Sequence, residues 1–512
     1  MISFKFYRDD WNRKESTKGL IPLFFAFSLL YIFPAYSQQV EGNDPNDKPN
    51  VLFIISDDLT TTALSSYENS ACSTPNIDKL ASEGTRFNRA YCQYPVCGPS
   101  RASLMFGYYP TATTTYGYVS GRENVGPEKE SWAQFFRNNG YFTARVGKIF
   151  HMGSVDIMKG RNGQDDPASW DERYNSPAPE VNARGESELV QKNPFGTRPI
   201  LKGEDVNGGN LMNIVKTEPG VEHTDVKTAE KISELLREHK NEPFFIAAGL
   251  FRPHVPFVAP KTSFEPYPHE EMVLPPKVIN DWDDIPEQGI NYVTSVNGQM
   301  TEEQEKKAIA AYYASTEFMD EQVGKILSTL EEEGLDDNTI VIMTSDHGYL
   351  LGEHRFWMKV SLMEESVRVP LIIKVPGKEP AVCNSFAELI DLYPTIAELA
   401  GLEVPVGIQG TSLAPLFDNP ESEVKDMAFS VSQRNGRMGY LVRTDKWAYM
   451  QYGDDGSGGM ELYDMQLDSK QFNNLANHPR YKSMVDEMQK RLNEKLIDVK
   501  TNDLNIKYSG SN

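Results

Sequence analysis

Cys97-Gly98-Pro99-Ser100-Arg101 places a thiol just ahead of a proline, then a hydroxyl, a guanidinium and the helix-compatible run Ala102-Ser103-Leu104-Met105. Proline is favoured near a helix start because the N–H it lacks would be unpaired there anyway. The thiol therefore sits at a helix N-terminus, where free backbone N–H groups favour an anion, the charge state a nucleophile needs. Two acidic clusters accompany it: Asp57-Asp58 after the run Asn50 to Ile55, and Asp346-His347 after Thr339 to Thr344. Both runs are continuous, apolar and β-branched, the pattern of strands buried on both faces. Adjacent acids at the end of such a strand are costly unless something cationic meets them. A solvated turn explains the Asp57-Asp58 pair, taken alone, equally well. Together the three carboxylates offer hard oxygens that suit Ca2+ or Mg2+. His347 is the less usual member, since imidazole is not the preferred ligand of Ca2+, and alone it reads as a core histidine or one supporting a ligand.

Five cationic or ionisable groups fall at predicted strand ends or in adjoining loops: Arg101, Lys148, His151, His254 and Lys359. Any one of them alone reads as a solvated surface residue. Five at one edge of a single predicted sheet, in an acidic protein, point to an anion site. The elements that must position them alternate. Strands are predicted at Asn50 to Ile55, Tyr141 to Val146, Pro243 to Leu250, Thr339 to Thr344 and Val369 to Val375. Helices are predicted at Asn76 to Glu83, Ser131 to Asn139, Thr224 to His239, from the capping box Thr301-Glu302-Glu303-Gln304 to Gly334, and Asp391 to Ala400. That alternation indicates an α/β fold around a mainly parallel sheet, whose ligands collect at the carboxyl ends of its strands. Met158 to Gly220 lacks sustained periodicity and reads as loops framing a site. Beyond Asp418 the character changes to four short strands and a final helix, Pro479 to Ile497, a small antiparallel C-terminal unit.

Lys18 and the basic residues before it precede an apolar run from Leu20 to Phe33, and Ala35-Tyr36-Ser37 fits a small-residue cleavage site. This reads as a secretory signal peptide over residues 1–37, too short for a comfortable membrane span. Residues 38–48 read as a flexible leader, 49–418 as the catalytic α/β domain and 419–512 as the C-terminal subdomain. The expected location is periplasmic or secreted, without stable membrane insertion. The chain carries 51 Lys+Arg against 73 Asp+Glu, a net charge of -22, which argues against nucleic-acid binding and requires any anion pocket to be locally basic. Only 4 cysteines occur, so this is not a disulfide-built scaffold. Cys72 and Cys92 are candidates for a pair, and the spacing leaves that open.

The motif C-x-P-S-R at Cys97 to Arg101 is also the signature of type I, formylglycine-dependent sulfatases, whose fold is alkaline-phosphatase-like. The chain resembles that family over nearly its whole mature length, through Asp57-Asp58-Leu59, Thr74 to Leu80, Val146 to His151, Pro253 to Phe257, Thr344 to Gly348, Leu351-Gly352-Glu353-His354 with Trp357 and Lys359, and Glu461-Leu462-Tyr463. It most resembles iduronate-2-sulfatases: two residues separate Lys148 from His151, and His347 stands where other members carry Asn. The resemblance implies that Cys97 is converted to formylglycine by a maturation enzyme, its hydrate acting as nucleophile and calcium ligand. It implies that Asp57, Asp58, Asp346 and His347 complete the Ca2+ site. Arg101 and Lys148 then hold and acidify the hydrate, His254 and Lys359 bind sulfate and assist the leaving oxygen, and His151 is the base that allows sulfate to be expelled. Phe106-Gly107-Tyr108 departs from the family's usual Thr-Gly-Arg, which bears on recognition by the maturation enzyme.

The implied activity is sulfate-ester hydrolysis on a sulfated oligosaccharide or polysaccharide, with 2-O-sulfate on a uronic acid of a glycosaminoglycan or of an algal polysaccharide such as ulvan as the leading expectation. The competing expectations are another sulfated sugar (galactose or hexosamine), a phosphatase or phosphonate-ester hydrolase on the same fold, and a non-catalytic sulfated-glycan binder.

Overall fold

The computed structural model describes residues 48–183, 185–191, 212–504 and 506. The expected signal peptide and all but the last residue of the leader lie outside them. The described strands run, in chain order, β1 (Asn50–Asp57), β2 (Thr85–Tyr91), β3 (Phe142–Gly147), β4 (Glu172–Tyr174), β5 (Gly185–Leu189) and β6 (Asn213–Thr217). There follow β7 (Phe244–Pro253), β8 (Phe257–Pro260), β9 (Thr339–Ser345), β10 (Leu350–Leu351), β11 (Trp357–Met358), β12 (Arg368–Val369), β13 (Leu371–Lys374) and β14 (Ala381–Glu388). The last four are β15 (Met427–Arg434), β16 (Arg437–Thr444), β17 (Trp447–Tyr452) and β18 (Met460–Asp464).

Among the described residues the main sheet has nine strands in the order β12-β2-β13-β9-β1-β7-β3-β4, with β14 pairing β2. β9, β1, β7 and β3 are mutually parallel, with Ile55 opposite both Gly249 and Thr344, and Gly147 opposite Gly249. β13 reverses direction between β9 and β2, so that flank is antiparallel before β14 pairs β2 in parallel. All eight residues of β1 are buried. Val51, Phe53 and Ile55 feed one core while Leu52 and Ile54 feed the other, the two-residue alternation of a strand covered on both faces. The long helix Glu302–Glu332 begins with the expected capping box, Thr301 and Gln304 each accepting from the other's backbone N–H.

The segment expected to be irregular contains more order than its composition suggested. β5 and β6 form a small sheet with β8, and β4 extends the main sheet beside β3. These strands are only three to five residues long, too short to leave a periodic signature. β15 to β18 form an antiparallel meander, with Val485, Met488, Leu492, Leu496 and Val499 of the helix Lys482–Lys500 buried against it. Cys72, Cys92, Cys97 and Cys383 are all free buried thiols.

Candidate active site

Because β1, β9, β7 and β3 run in parallel, the residues that follow them emerge at one edge of the sheet: Asp57-Asp58, Asp346-His347, His254 and Lys148. Asp58 turns the chain with φ 67, a left-handed conformation that Asp tolerates better than most side chains. Gly147 has φ +78, and a Cβ there would lie 2.1 Å from the carbonyl of Gly249. Glycine is therefore what lets the chain leave β3 and deliver Lys148 beside β7.

The motif residues form the first turn of the helix Cys97–Phe106, with Cys97 its first residue and Val96 the N-cap, as the Pro99 position predicts. Arg101, fully buried, donates from Nε to Asp346 Oδ2 at 2.8 Å and from Nη2 to Asp57 Oδ1 at 3.5 Å, and also binds the carbonyls of Lys148 and Ile149. It thus fastens the helix start to three strand ends at once. Ser100 Oγ donates to the backbone oxygen of Asp346, adding a second tie. Phe106-Gly107-Tyr108 is accommodated without strain on the motif: Gly107 caps the helix in the left-handed region, and Tyr108 donates to Asp503.

Around Cys97 Sγ stand His347 Nε2 at 3.4 Å and Lys359 Nζ at 3.0 Å. Lys148 is ion-paired with Asp57 and Lys359 with Asp58. His347 Nε2 lies 3.3 Å from Asp58 Oδ1 and 3.6 Å from Asp346 Oδ1, while its Nδ1–H donates to the Gly348 carbonyl at 2.8 Å. That bond fixes the tautomer and aims Nε2 at the carboxylates, the arrangement of a ligating imidazole. His254 is held in the same way, its Nδ1–H donating to Val255 O at 2.6 Å and its Nε2 lying 3.9 Å from Asp58 Oδ2. Arg252 supports that loop by donating to the carbonyls of His254 and Pro256.

The charges respond to one another. Burial and the Asp57 charge oppose a thiolate at Cys97, yet Lys148 and Lys359 outweigh them and bring the thiol down to about 6. Burial works against an imidazolium at His347, but the Asp346 carboxylate pushes it up to about 9, so a metal ion would have to displace the Nε2 proton in order to be ligated there. His151 is driven to about 3, first by burial and then by Lys148, and stays neutral. Its ring stacks on Tyr118 with centroids 4.4 Å apart, and its Nδ1 is buried without a partner.

Donor atoms of Asp57, Cys97, Asp346 and His347 lie within 4.8 Å of one another, as do those of Asp57, Asp58, Cys97 and His254. Asp58 Oδ2 is buried with no hydrogen-bond partner. An orphaned carboxylate oxygen among converging carboxylates fits a divalent cation with a preference for oxygen.

All eleven positional assignments made from sequence, Cys97 serving twice, converge on this edge; Tyr118 and Arg252 were missed. An exposed tyrosine in a Gly-rich loop and an arginine at a strand end carry no signal that separates them from surface residues.

The family described as Sulfatase matches residues 49–402. The chain belongs to the sulfatase family. A second family, described as N-sulphoglucosamine sulphohydrolase, C-terminal, matches residues 352–498 of this sulfatase. A sulfatase of Formosa agariphila is 31% identical over 461 residues, 86% of each chain. The iduronate 2-sulfatase of Mus musculus is 34% identical over 427 residues, 74% of each chain. Among solved structures, a 2-O GAG sulfatase matches with TM-score 0.66 and 26% identity, covering 89% of this chain and 93% of that one. A phosphonate monoester hydrolase from Silicibacter pomeroyi matches with TM-score 0.70 at 19% identity, a likeness of fold alone. No described helix is long and apolar enough to cross a membrane.

Proposed function

We propose that this sulfatase is a secreted or periplasmic enzyme that removes 2-O-sulfate from a uronic acid in a glycosaminoglycan or an algal polysaccharide such as ulvan. The observation that carries the reading is the setting of Cys97 at a helix start, its sulfur 3.0 Å from Lys359 Nζ and 3.4 Å from His347 Nε2. The substrate class is supported by the iduronate 2-sulfatases of mouse and human, 34% and 32% identical, and by the fold of a 2-O GAG sulfatase.

A sulfate ester is a weak electrophile with a poor alkoxide leaving group. A maturation enzyme with its oxidant would convert the Cys97 thiol to the formylglycine aldehyde with loss of the sulfur. Addition of water would give a geminal diol, one oxygen to attack the sulfate sulfur and one whose deprotonation re-forms the aldehyde and releases sulfate. Asp57, Asp58, Asp346, His347 and position 97 would hold Ca2+, which would supply positive charge against the transferred group. The chain's own residues do the rest. Lys148 and Lys359 present ammonium groups to the sulfate oxygens and to charge developing on them. His254, with Nδ1–H engaged on Val255, presents Nε2 to the sulfate and the leaving oxygen. Arg101 fixes the carboxylates and the helix start, and its charge favours an ionised oxygen at position 97. His151, held neutral, accepts the proton whose removal frees sulfate.

Incubation with sulfated disaccharides differing in uronate epimer and sulfate position, followed by sulfate analysis, tests the proposal. Release from 2-O-sulfated uronates is expected, together with an intact mass showing the aldehyde at position 97. Release only from galactose or hexosamine sulfates would replace the substrate. Equal activity in protein with an unconverted thiol would overturn the mechanism.

A further inference from the structure

Tyr118 is 58% exposed, yet it stands at the reacting centre. One face of its ring stacks on His151 at 27° between planes. Its backbone presses on the motif helix: a Cβ at Gly98 would lie 2.6 Å from the Gly117 carbonyl and 2.9 Å from Tyr118 Cα. The glycine beside Cys97 is thus what allows this loop to lie across the helix start. Half-buried Tyr116 of the same loop packs on buried Tyr94, which lies between β2 and the motif helix, their centroids 6.3 Å apart.

A single exposed aromatic is ordinary on a protein surface, but this one stands beside the anion pocket, where a substrate would meet it. The cations inside the pocket grip the sulfate but provide no flat apolar surface for the ring that carries it. A pyranose has a polar rim and a C–H face, and an aromatic side chain with an apolar body and a polar tip matches both. We propose that Tyr118 is the platform on which the sulfated sugar ring rests, stacked by its C–H face while its sulfate points past His151 to Cys97. This inference rests on the sugar-sulfatase reading above and adds the binding residue for the sugar.

The test compares wild type, Tyr118→Ala and Tyr118→Phe on the 2-O-sulfated uronate disaccharides from heparin, dermatan and ulvan and on 4-nitrophenyl sulfate. For the disaccharide turned over fastest, Tyr118→Ala is expected to raise KM about tenfold with kcat held within about threefold, and Tyr118→Phe to restore KM to within about twofold. On 4-nitrophenyl sulfate, which carries no pyranose, the rise in KM is expected to be smaller than on the disaccharide, at most about threefold. An unchanged KM in Tyr118→Ala overturns the proposal and leaves the sulfatase reading intact. An equal fall in kcat on both substrates with KM unchanged also overturns it, because the ring would then only brace His151. If wild type hydrolyses 4-nitrophenyl sulfate but none of the disaccharides, the uronate reading falls and the platform with it.

Discussion

Three carboxylates and three permanent cations, Asp57, Asp58 and Asp346 with Arg101, Lys148 and Lys359, meet around one sulfur atom away from water. Buried charges of one sign alone would be prohibitive, and the balance is what makes the cluster foldable. The balance also divides the labour. Arg101 is fully enclosed and structural in its reach, whereas Lys359 keeps some exposure and touches Cys97 Sγ. Replacement Lys359→Ala is expected to lower kcat/KM for a sulfated disaccharide by about 10²–10³ while leaving the extent of aldehyde formation at position 97, read by intact mass, unchanged. A loss below about threefold would remove Lys359 from sulfate binding. Exhaustive dialysis against a chelator is expected to abolish activity and lower the melting temperature, with Ca2+ restoring both. Full activity after dialysis, with metal shown to be absent by elemental analysis, would overturn the assignment of Asp57, Asp58, Asp346 and His347.

The connection that carries Lys359 is shaped by unusual backbone. His354, Arg355, Met358 and Val360 have φ of 54, 60, 69 and 78, and a β-branched residue such as Val360 adopts that region only under constraint. The constraint is visible: Val360 N–H donates to Pro95 O at 3.2 Å, and Trp357 is held by Asn291 Nδ2 on its carbonyl and by its own Nε1 on Ser295 Oγ. Glu353 opens this turn, with Oε2 accepting from the Leu351 N–H at 2.6 Å. Burial, and then the neighbouring Glu365 charge, push Glu353 up to about 7, while Lys470, bound to Glu365, pulls the other way. His354 beside it is paired with Asp281. A carboxyl whose folded pKa is raised binds its proton more tightly folded than unfolded. Its contribution is therefore complete below the ordinary carboxylate pKa and is lost as pH rises through about 7. The melting temperature of Glu353→Gln is expected to fall less than that of wild type between pH 5 and pH 8. Parallel pH profiles for the two proteins would show that Glu353 titrates normally.

At the scale of the molecule, the unit that begins at Met427 is distinct in topology yet continuous in packing. Val431 N–H donates to Gln93 O, Phe429 N–H to Glu388 Oε1, and Phe429, Leu441 and Tyr449 share one core with Phe53 and Leu104. We propose that the division near residue 418 separates two folding motifs rather than two independent bodies. Residues 49–418 expressed alone are expected to be insoluble or to lose the cooperative transition of the full chain, since truncation exposes that shared core. Two well-separated calorimetric transitions in the intact protein would contradict this.

The chemistry and most of the framework could be read from the residues in order. Buried parallel strands leave unbroken apolar runs, so β1, β7 and β9 were evident, and the capping box at Thr301 announced the longest helix. β2 and β14 left no such trace: Thr85–Tyr91 and Ala381–Glu388 interleave polar residues, and each becomes a strand through pairing with a partner almost 300 positions away. The sequence by itself determined which residue types were available at each strand end: a thiol, three carboxylates, two lysines, an arginine and three histidines. Only the tertiary structure decided their mutual distances, because convergence depends on four parallel strands adopting one register. It alone supplied Tyr118 and Arg252 too, since their roles lie in contacts between segments far apart in the chain, and no local pattern encodes a contact of that kind.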